Sequence, residues 1–166
     1  MIENKREIRE HAYREKMLSI IVPCYNEEKG LRLFHGALRD QLAAIREKGY
    51  AYEVIYINDG SRDRSLELIL EFASGEDYTK YISFSRNFGK ESAMLAGLEA
   101  AAGSCAVILD ADLQHPPSLI PQMLDKYEEG YEQVIARRNR EGDSWKSSFF
   151  ARTYYKLTDK LIDRCV

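Results

Sequence analysis

Short β-rich apolar runs alternate with segments of helical period along most of this chain, and that alternation limits the fold more than any other feature. Leu18-Ser19-Ile20-Ile21-Val22 ends at Pro23, after which Leu31, Phe34, Leu38, Leu42 and Ile45 recur at helical spacing until Gly49 closes the helix. Val54 to Ile57 predicts a second strand, Asp63 to Ala73 a helix, and Tyr81 to Phe84 a third strand. A helix from Lys90 to Ala102 stops at Gly103. Cys105 to Leu109 is a fourth strand, a helix follows Pro116-Pro117, and Gln133 to Ala136 makes a fifth strand. Such alternation over short connections implies an α/β fold, a three-layer, mostly parallel sheet.

Parallel sheets gather chemistry at the carboxyl ends of their strands. The fourth strand, read as buried on both faces, delivers Asp110 and Asp112 to that edge. Residues i and i+2 of an extended chain project to one side, so the two carboxylates converge. Their repulsion calls for a cation, and hard ions such as Mg²⁺ or Mn²⁺ take one or two carboxylates with substrate phosphates. Gln114 adds an amide oxygen. A pair of solvated loop aspartates before a proline-capped helix is the plainer account of an isolated Asp-x-Asp.

The loop after the first strand separates the nucleotide-binding classes. Pro23-Cys24-Tyr25-Asn26-Glu27-Glu28-Lys29-Gly30 is neither a dinucleotide Gly-x-Gly-x-x-Gly nor a P-loop. Tyr25 can stack on a base, and Asn26, Glu27 and Asp59 can hydrogen-bond base or ribose. Asn58-Asp59-Gly60-Ser61 is also an ordinary turn sequence.

The remaining composition narrows the class. A length of 166 residues suits one well-buried domain, and 45% hydrophobic with 31% charged residues is globular. A net charge of -3 argues against a nucleic-acid binder. No apolar run reaches the roughly 18 residues a membrane span needs, and residues 1–16 are a polar extension unlike a signal peptide. The expectation is a soluble, unexported chain. Cys24, Cys105 and Cys165 lack metal or disulfide spacing and suggest reduced, packing thiols. Residues 17–138 form the expected core. Residues 139–166 are basic and amphipathic, with Phe150, Tyr154, Leu157 and Leu161 on one helical face, suited either to an anionic membrane surface or to packing on the domain itself.

In combination, these motifs resemble family 2 glycosyltransferases of the GT-A, nucleotide-diphospho-sugar transferase, fold. Val22 to Glu28 resembles that family's first nucleotide motif, Asn58-Asp59-Gly60-Ser61 its Asp-Asp-Gly-Ser motif, and Asp110 to Pro117 its metal motif. Ser85 to Glu91 and Arg140 to Trp145 are similar to the branch that glycosylates polyprenyl phosphates, the bactoprenol glucosyltransferases and dolichyl-phosphate mannose synthases. The resemblance implies nucleotide contacts from Pro23, Tyr25, Asn26, Glu27, Asp59 and Asp110, and a Mg²⁺ or Mn²⁺ site at Asp110, Asp112 and Gln114, with Asp110 and Asp112 in the catalytic role. Arg137 and Arg138 would face the acceptor phosphate.

It further implies UDP-glucose as donor, with GDP-mannose the other choice, a polyprenyl phosphate acceptor, and work at the cytoplasmic side of a membrane. Asn58 stands where the family often has Asp, which keeps hydrogen bonding and loses charge. Family members continue into a Gly-Asp-Phe-Arg-like motif carrying the candidate base, so the resemblance implies an incomplete catalytic domain. Extension of a polysaccharide, or nucleotide binding without transfer, stays open as an alternative.

Overall fold

The computed structural model describes residues 16–112 and 116–136. The expectations for the N-terminal extension, for Gln114, and for Arg137, Arg138 and the basic segment lie outside those residues. Strands β1 (Met17–Cys24) and β2 (Ala51–Asn58) pair in parallel along their full length, from Met17 opposite Ala51 to Cys24 opposite Asn58. β3 (Thr79–Ser83) pairs with β2 and β4 (Cys105–Ile108) with β1, which makes an all-parallel sheet of order β3-β2-β1-β4. The connections contain α1 (Leu31–Glu47), α2 (Ser65–Gly75) and α3 (Lys90–Ala100). After β4, a 3-10 turn at Pro117–Leu119 leads into α4 (Ile120–Glu128).

The period of two in the strands sorts side chains into two cores. Leu18, Ile20 and Val22 of β1 and Val54 and Tyr56 of β2 pack with Phe34 and Leu38 of α1, Ile69 and Phe72 of α2, and Ile120 and Leu124 of α4. On the opposite face Ile21, Ile55 and Ile57 meet Ala93 of α3. Gly97 sets that second contact: a Cβ there would lie 2.4 Å from Ile21 Cγ2 and 2.9 Å from Ile57 Cδ1. A glycine inside a helix costs about 0.5–1 kcal/mol relative to alanine. Here it lets the α3 backbone rest directly on the sheet. The expected three layers are present, and no helix among the described residues is long and apolar enough to cross a membrane.

Two expectations are corrected. Gln133 to Ala136 do not form a fifth strand; they run without regular structure, and Ile135 is 71% exposed. Their β-branched composition has the propensity, but propensity makes a strand only where a ladder partner is supplied. The fourth strand is not buried on both faces either. Val107 is buried while Ala106 and Ile108 are exposed, β4 being an edge of the described sheet. Smaller differences occur at helix ends: α2 begins at Ser65, not at Asp63, because the Asp63 carboxylate sits outside the helix and accepts the Ser65 N–H at 3.0 Å.

A polar cluster ties the amino-terminal side of the sheet together. Glu53 is buried at 2% exposure, and its Oε1 accepts from the Ser19 hydroxyl at 2.6 Å and the Ala102 N–H at 2.7 Å. Its Oε2 accepts from the Lys80 ammonium at 2.7 Å, and Ser19 Oγ in turn accepts the Gly103 N–H at 2.9 Å. Burial alone would raise the Glu53 pKa, but the bonds from Lys80, Ser19 and Ala102 outweigh it and hold the carboxyl below its ordinary value. The cluster thereby fastens the turn after α3 to β1 and β2. Elsewhere, His35 stacks on Phe72 at 3.8 Å, with Nδ1 2.9 Å from the Tyr56 hydroxyl and Nε2 3.2 Å from Glu76 Oε1. Burial pushes its pKa below the ordinary imidazole value, overriding the opposite pull of Glu76, with Arg39 and Arg32 adding to the lowering.

Two outcomes follow. Glu53→Ala leaves the Ser19 hydroxyl and the Ala102 N–H without their acceptor, and urea denaturation is expected to show a loss of about 3 kcal/mol. His35 is neutral in the fold at a pH where the unfolded chain already binds a proton, so the unfolded state gains protons first on acidification. Stability attributable to His35 therefore falls as pH drops from about 6.5 through the lower folded value. Thermal melts between about pH 7.5 and 5.5 should show a steeper decline for the wild-type chain than for His35→Gln.

Candidate active site

Each strand's carboxyl end opens into a loop, and the loops are cross-braced by their own polar groups. After β1, Asn26 adopts the left-handed conformation at φ 56°, which asparagine tolerates better than most residues. Its N–H donates to Ser61 Oγ at 3.0 Å and its Oδ1 accepts the Arg62 N–H at 2.9 Å. The Glu27 N–H donates to Ser65 Oγ at 2.7 Å and the Glu28 N–H to Asp63 Oδ2 at 3.0 Å. The first two loops thus behave as one braced unit. Asn26, expected to read base or ribose, spends its side-chain oxygen on this brace.

The Asn58-Asp59-Gly60-Ser61 turn has a similar internal use. Asn58 is buried, donates from Nδ2 to Ser83 Oγ at 3.0 Å, and accepts the Ser61 N–H on Oδ1 at 3.1 Å. That satisfies a neutral amide where a buried carboxylate would need a cation. Asp59, 3% exposed, accepts the Phe88 N–H at 2.7 Å on Oδ1 and the Gly89 N–H at 3.0 Å on Oδ2. Gly60 lies against the same loop: at φ 64° a Cβ would come 2.3 Å from the Arg86 carbonyl carbon. Asp59 and Gly60 therefore hold the loop that leads into α3. In this structure the Asp59 carboxylate faces that loop's amides, where a base contact was expected.

The loop so held delivers Lys90, the first residue of α3, to the end of β4. Its ammonium pairs with Asp110 Oδ1 at 2.6 Å, with the side chains 54% and 35% exposed. At such exposure an ion pair contributes about 0–1 kcal/mol, so it is readily exchanged for a better partner. Sequence reasoning gave Lys90 no role. Its signal was the position, immediately after the Asn87-Phe88-Gly89 turn and at the first turn of a helix.

Between these loops lies a cleft of about 250 Å³ lined by Pro23, Tyr25, Glu27, Asp59, Lys90, Asp110 and Asp112, together with Cys24, Asn87, Ala93 and Ala111. Of the expected site residues within the described chain, only Asn26 is not on its wall. Tyr25 is 43% exposed and presents an open ring at the mouth. Glu27 has a raised pKa, first from burial, then from the negative charges of Asp112, Asp110 and Asp63. Crowding of that sign favours a bound cation. Cys24 is buried, and burial with the charges of Glu27 and Asp63 pushes its thiol far up, so it packs and does not act as a nucleophile.

The donor set fits an oxygen-seeking divalent ion of the Mg²⁺ or Mn²⁺ kind. Asp110 and Asp112 are hard oxygen ligands, and among the described residues no group of three or more His, Cys, Asp or Glu could hold an ion unaided. A second, more apolar hollow of about 450 Å³ lies beside the exposed side of β4, and Lys90 and Asp110 line both.

The chain is 46% identical to CsbB of Bacillus subtilis (strain 168) over 150 residues, which covers 90% of this chain and 45% of that protein. It is 36% identical to the bactoprenol glucosyl transferase of Shigella phage SfV over 146 residues, 87% of this chain and 46% of that one. The chain thus spans about half the length of these relatives. Among solved structures, the mannosyltransferase PcManGT from Pyrobaculum calidifontis, in complex with GDP-Man and Mn²⁺, superposes with a TM-score of 0.53 at 23% identity. That match covers 78% of this chain and 37% of the mannosyltransferase, and it shows the GT-A fold. With the sequence profile named "Glycosyl transferase family 2" matching residues 19–165, the chain belongs to glycosyl transferase family 2.

Proposed function

We propose that this domain binds the donor of a glycosyltransferase that moves a hexose from a nucleoside diphosphate sugar to a polyprenyl phosphate, with inversion. The observation that carries the proposal is the cleft in which Glu27, Asp110 and Asp112 crowd negative charge beneath the open ring of Tyr25. Acidic walls do not attract a diphosphate by themselves; they suit one that arrives with a divalent cation. The mannosyltransferase of like fold is described with GDP-Man and Mn²⁺, and the phage relative is named for a lipid acceptor, bactoprenol. UDP-glucose is the favoured donor and GDP-mannose the other.

In this reading Asp110 and Asp112 hold the ion, and Gln114 completes the protein's share of the shell. When bound, Mg²⁺ or Mn²⁺ supplies Lewis-acid neutralisation of the charge that develops on the departing nucleoside diphosphate. Tyr25 stacks on the base, and Pro23 and Glu27 shape the floor beneath the ribose and phosphates. Asp59 contributes by fixing the loop that carries Lys90. An acceptor phosphate oxygen attacks the anomeric carbon from the face opposite the departing nucleoside diphosphate, and the carbon–oxygen bond to the diphosphate breaks with its electron pair leaving on the diphosphate. A phosphate monoester has its second pKa at about 6, so the nucleophile is already anionic at neutral pH and placement matters more than proton removal. Arg137 and Arg138 are assigned that placement by bidentate contact with the acceptor phosphate.

Calorimetry with Mn²⁺ and either UDP-glucose or GDP-mannose tests the donor half. Metal-dependent binding is expected, with a loss of at least about tenfold in affinity on Asp112→Ala. Unchanged binding in that variant would remove Asp112 from the metal site. Incubation of the protein with donor and polyprenyl phosphate in micelles is expected to yield a lipid-linked hexose.

A further inference from the structure

Among the described residues that line the acidic cleft, Lys90 is the cation, and neither the motifs nor the proposed chemistry supplies it a task. Its ammonium sits 2.6 Å from Asp110 Oδ1, on a carboxylate that the proposed function gives to the metal. The pair is half open to solvent, and both residues border the donor cleft on one side and the apolar hollow on the other, so the side chain has space to swing. Its backbone has no such freedom. Asp59 grips the two N–H groups immediately before it, at Phe88 and Gly89, and Gly60 backs the loop at Arg86. An exposed ammonium on a fixed root can exchange one anionic partner for another within a reach of a few ångströms.

Resting on the donor-binding reading, we propose that Lys90 is an exchangeable counter-ion. It neutralises Asp110 while the cleft is empty, and moves to the diphosphate oxygens when metal and nucleotide bind. Two consequences follow from charge alone. Without nucleotide, Lys90 competes with a divalent ion for Asp110 and repels it, which weakens metal binding. With nucleotide present the ammonium gains phosphate oxygens, a suitable partner for a lysine point charge, and Asp110 is released to the metal. Nucleotide and metal therefore strengthen each other's binding through this side chain, and the coupling is reciprocal. The arrangement disfavours a metal-loaded cleft that lacks a donor. It makes Lys90 a ligand of the leaving group, a role separate from that of the Asp110–Asp112 pair.

The test uses the 166-residue chain, its Lys90→Met variant, which keeps the unbranched stem of the side chain without the ammonium, and Lys90→Arg, which keeps the charge. Mn²⁺ binding is measured first without nucleotide, by the resonance signal of free Mn²⁺, and UDP binding is then measured by calorimetry at saturating Mn²⁺. Lys90→Met is expected to bind Mn²⁺ about threefold more tightly alone and UDP about tenfold more weakly on the loaded protein. Lys90→Arg should restore both values toward wild type. Unchanged Mn²⁺ affinity in Lys90→Met overturns the counter-ion role, and unchanged UDP affinity overturns the exchange. If the wild-type chain binds Mn²⁺ but no nucleotide, the donor-binding reading fails and the exchange fails with it, while the Mn²⁺ comparison still decides whether Lys90 competes for Asp110. Circular dichroism confirms the fold of each variant; Lys90 is more than half exposed, so none of these substitutions disturbs the core.

Discussion

The parallel pairing of β1 with β2 is the constraint on which the rest depends. Because the two strands run the same way and in register from Met17–Ala51 to Cys24–Asn58, their carboxyl ends finish level with one another. The Asp59 N–H then closes the pair by donating to the Cys24 carbonyl at 2.9 Å. The loop after β1 and the turn after β2 consequently leave the sheet side by side, close enough for Asn26, Ser61, Asp63 and Ser65 to brace them. β4 joins the free side of β1 and brings Asp110 to the same edge. A one-residue slip of β1 would exchange its two faces and turn Leu18, Ile20 and Val22 away from the core they share with α1.

The two ends of the sheet solve opposite electrostatic problems. At the amino end, Glu53 is buried and fully partnered by Ser19, Lys80 and Ala102, so its charge is stabilised inside the protein. At the carboxyl end Glu27, Asp110 and Asp112 line one cleft, and burial first, then the charges of Asp112, Asp110 and Asp63, raises the Glu27 pKa. The acid at the amino end belongs to stability.

Much of the architecture was legible because it rests on periodicity. The apolar alternation of β1 and β2 and the helical spacing of Leu31, Phe34, Leu38, Leu42 and Ile45 appear in the structure as the two faces of a core. Gln133 to Ala136 show the limit of that signal, since a β-rich run needs a partner strand and composition does not provide one. The mid-strand Glu53 and the helix-borne His35 carried no periodic mark that distinguished them from solvated neighbours. Only their surroundings, Ser19 and Lys80 for one and Phe72 and Tyr56 for the other, explain why a polar residue is buried there.

The sequence by itself determined the α/β class, the placement of polar motifs at successive strand ends, and the likeness to one glycosyltransferase family. These are properties of local spacing and residue type, which a linear chain displays directly. Tertiary structure decided what each motif residue faces. Asn26, Asn58 and Asp59 have the chemistry to read a nucleotide, yet each directs polar atoms toward neighbouring loops. Lys90, twenty residues from Asp110 in the chain, becomes its partner at 2.6 Å. The physical reason is that hydrogen bonds and ion pairs act over a few ångströms, and the crossovers of a parallel sheet set which distant residues come that close.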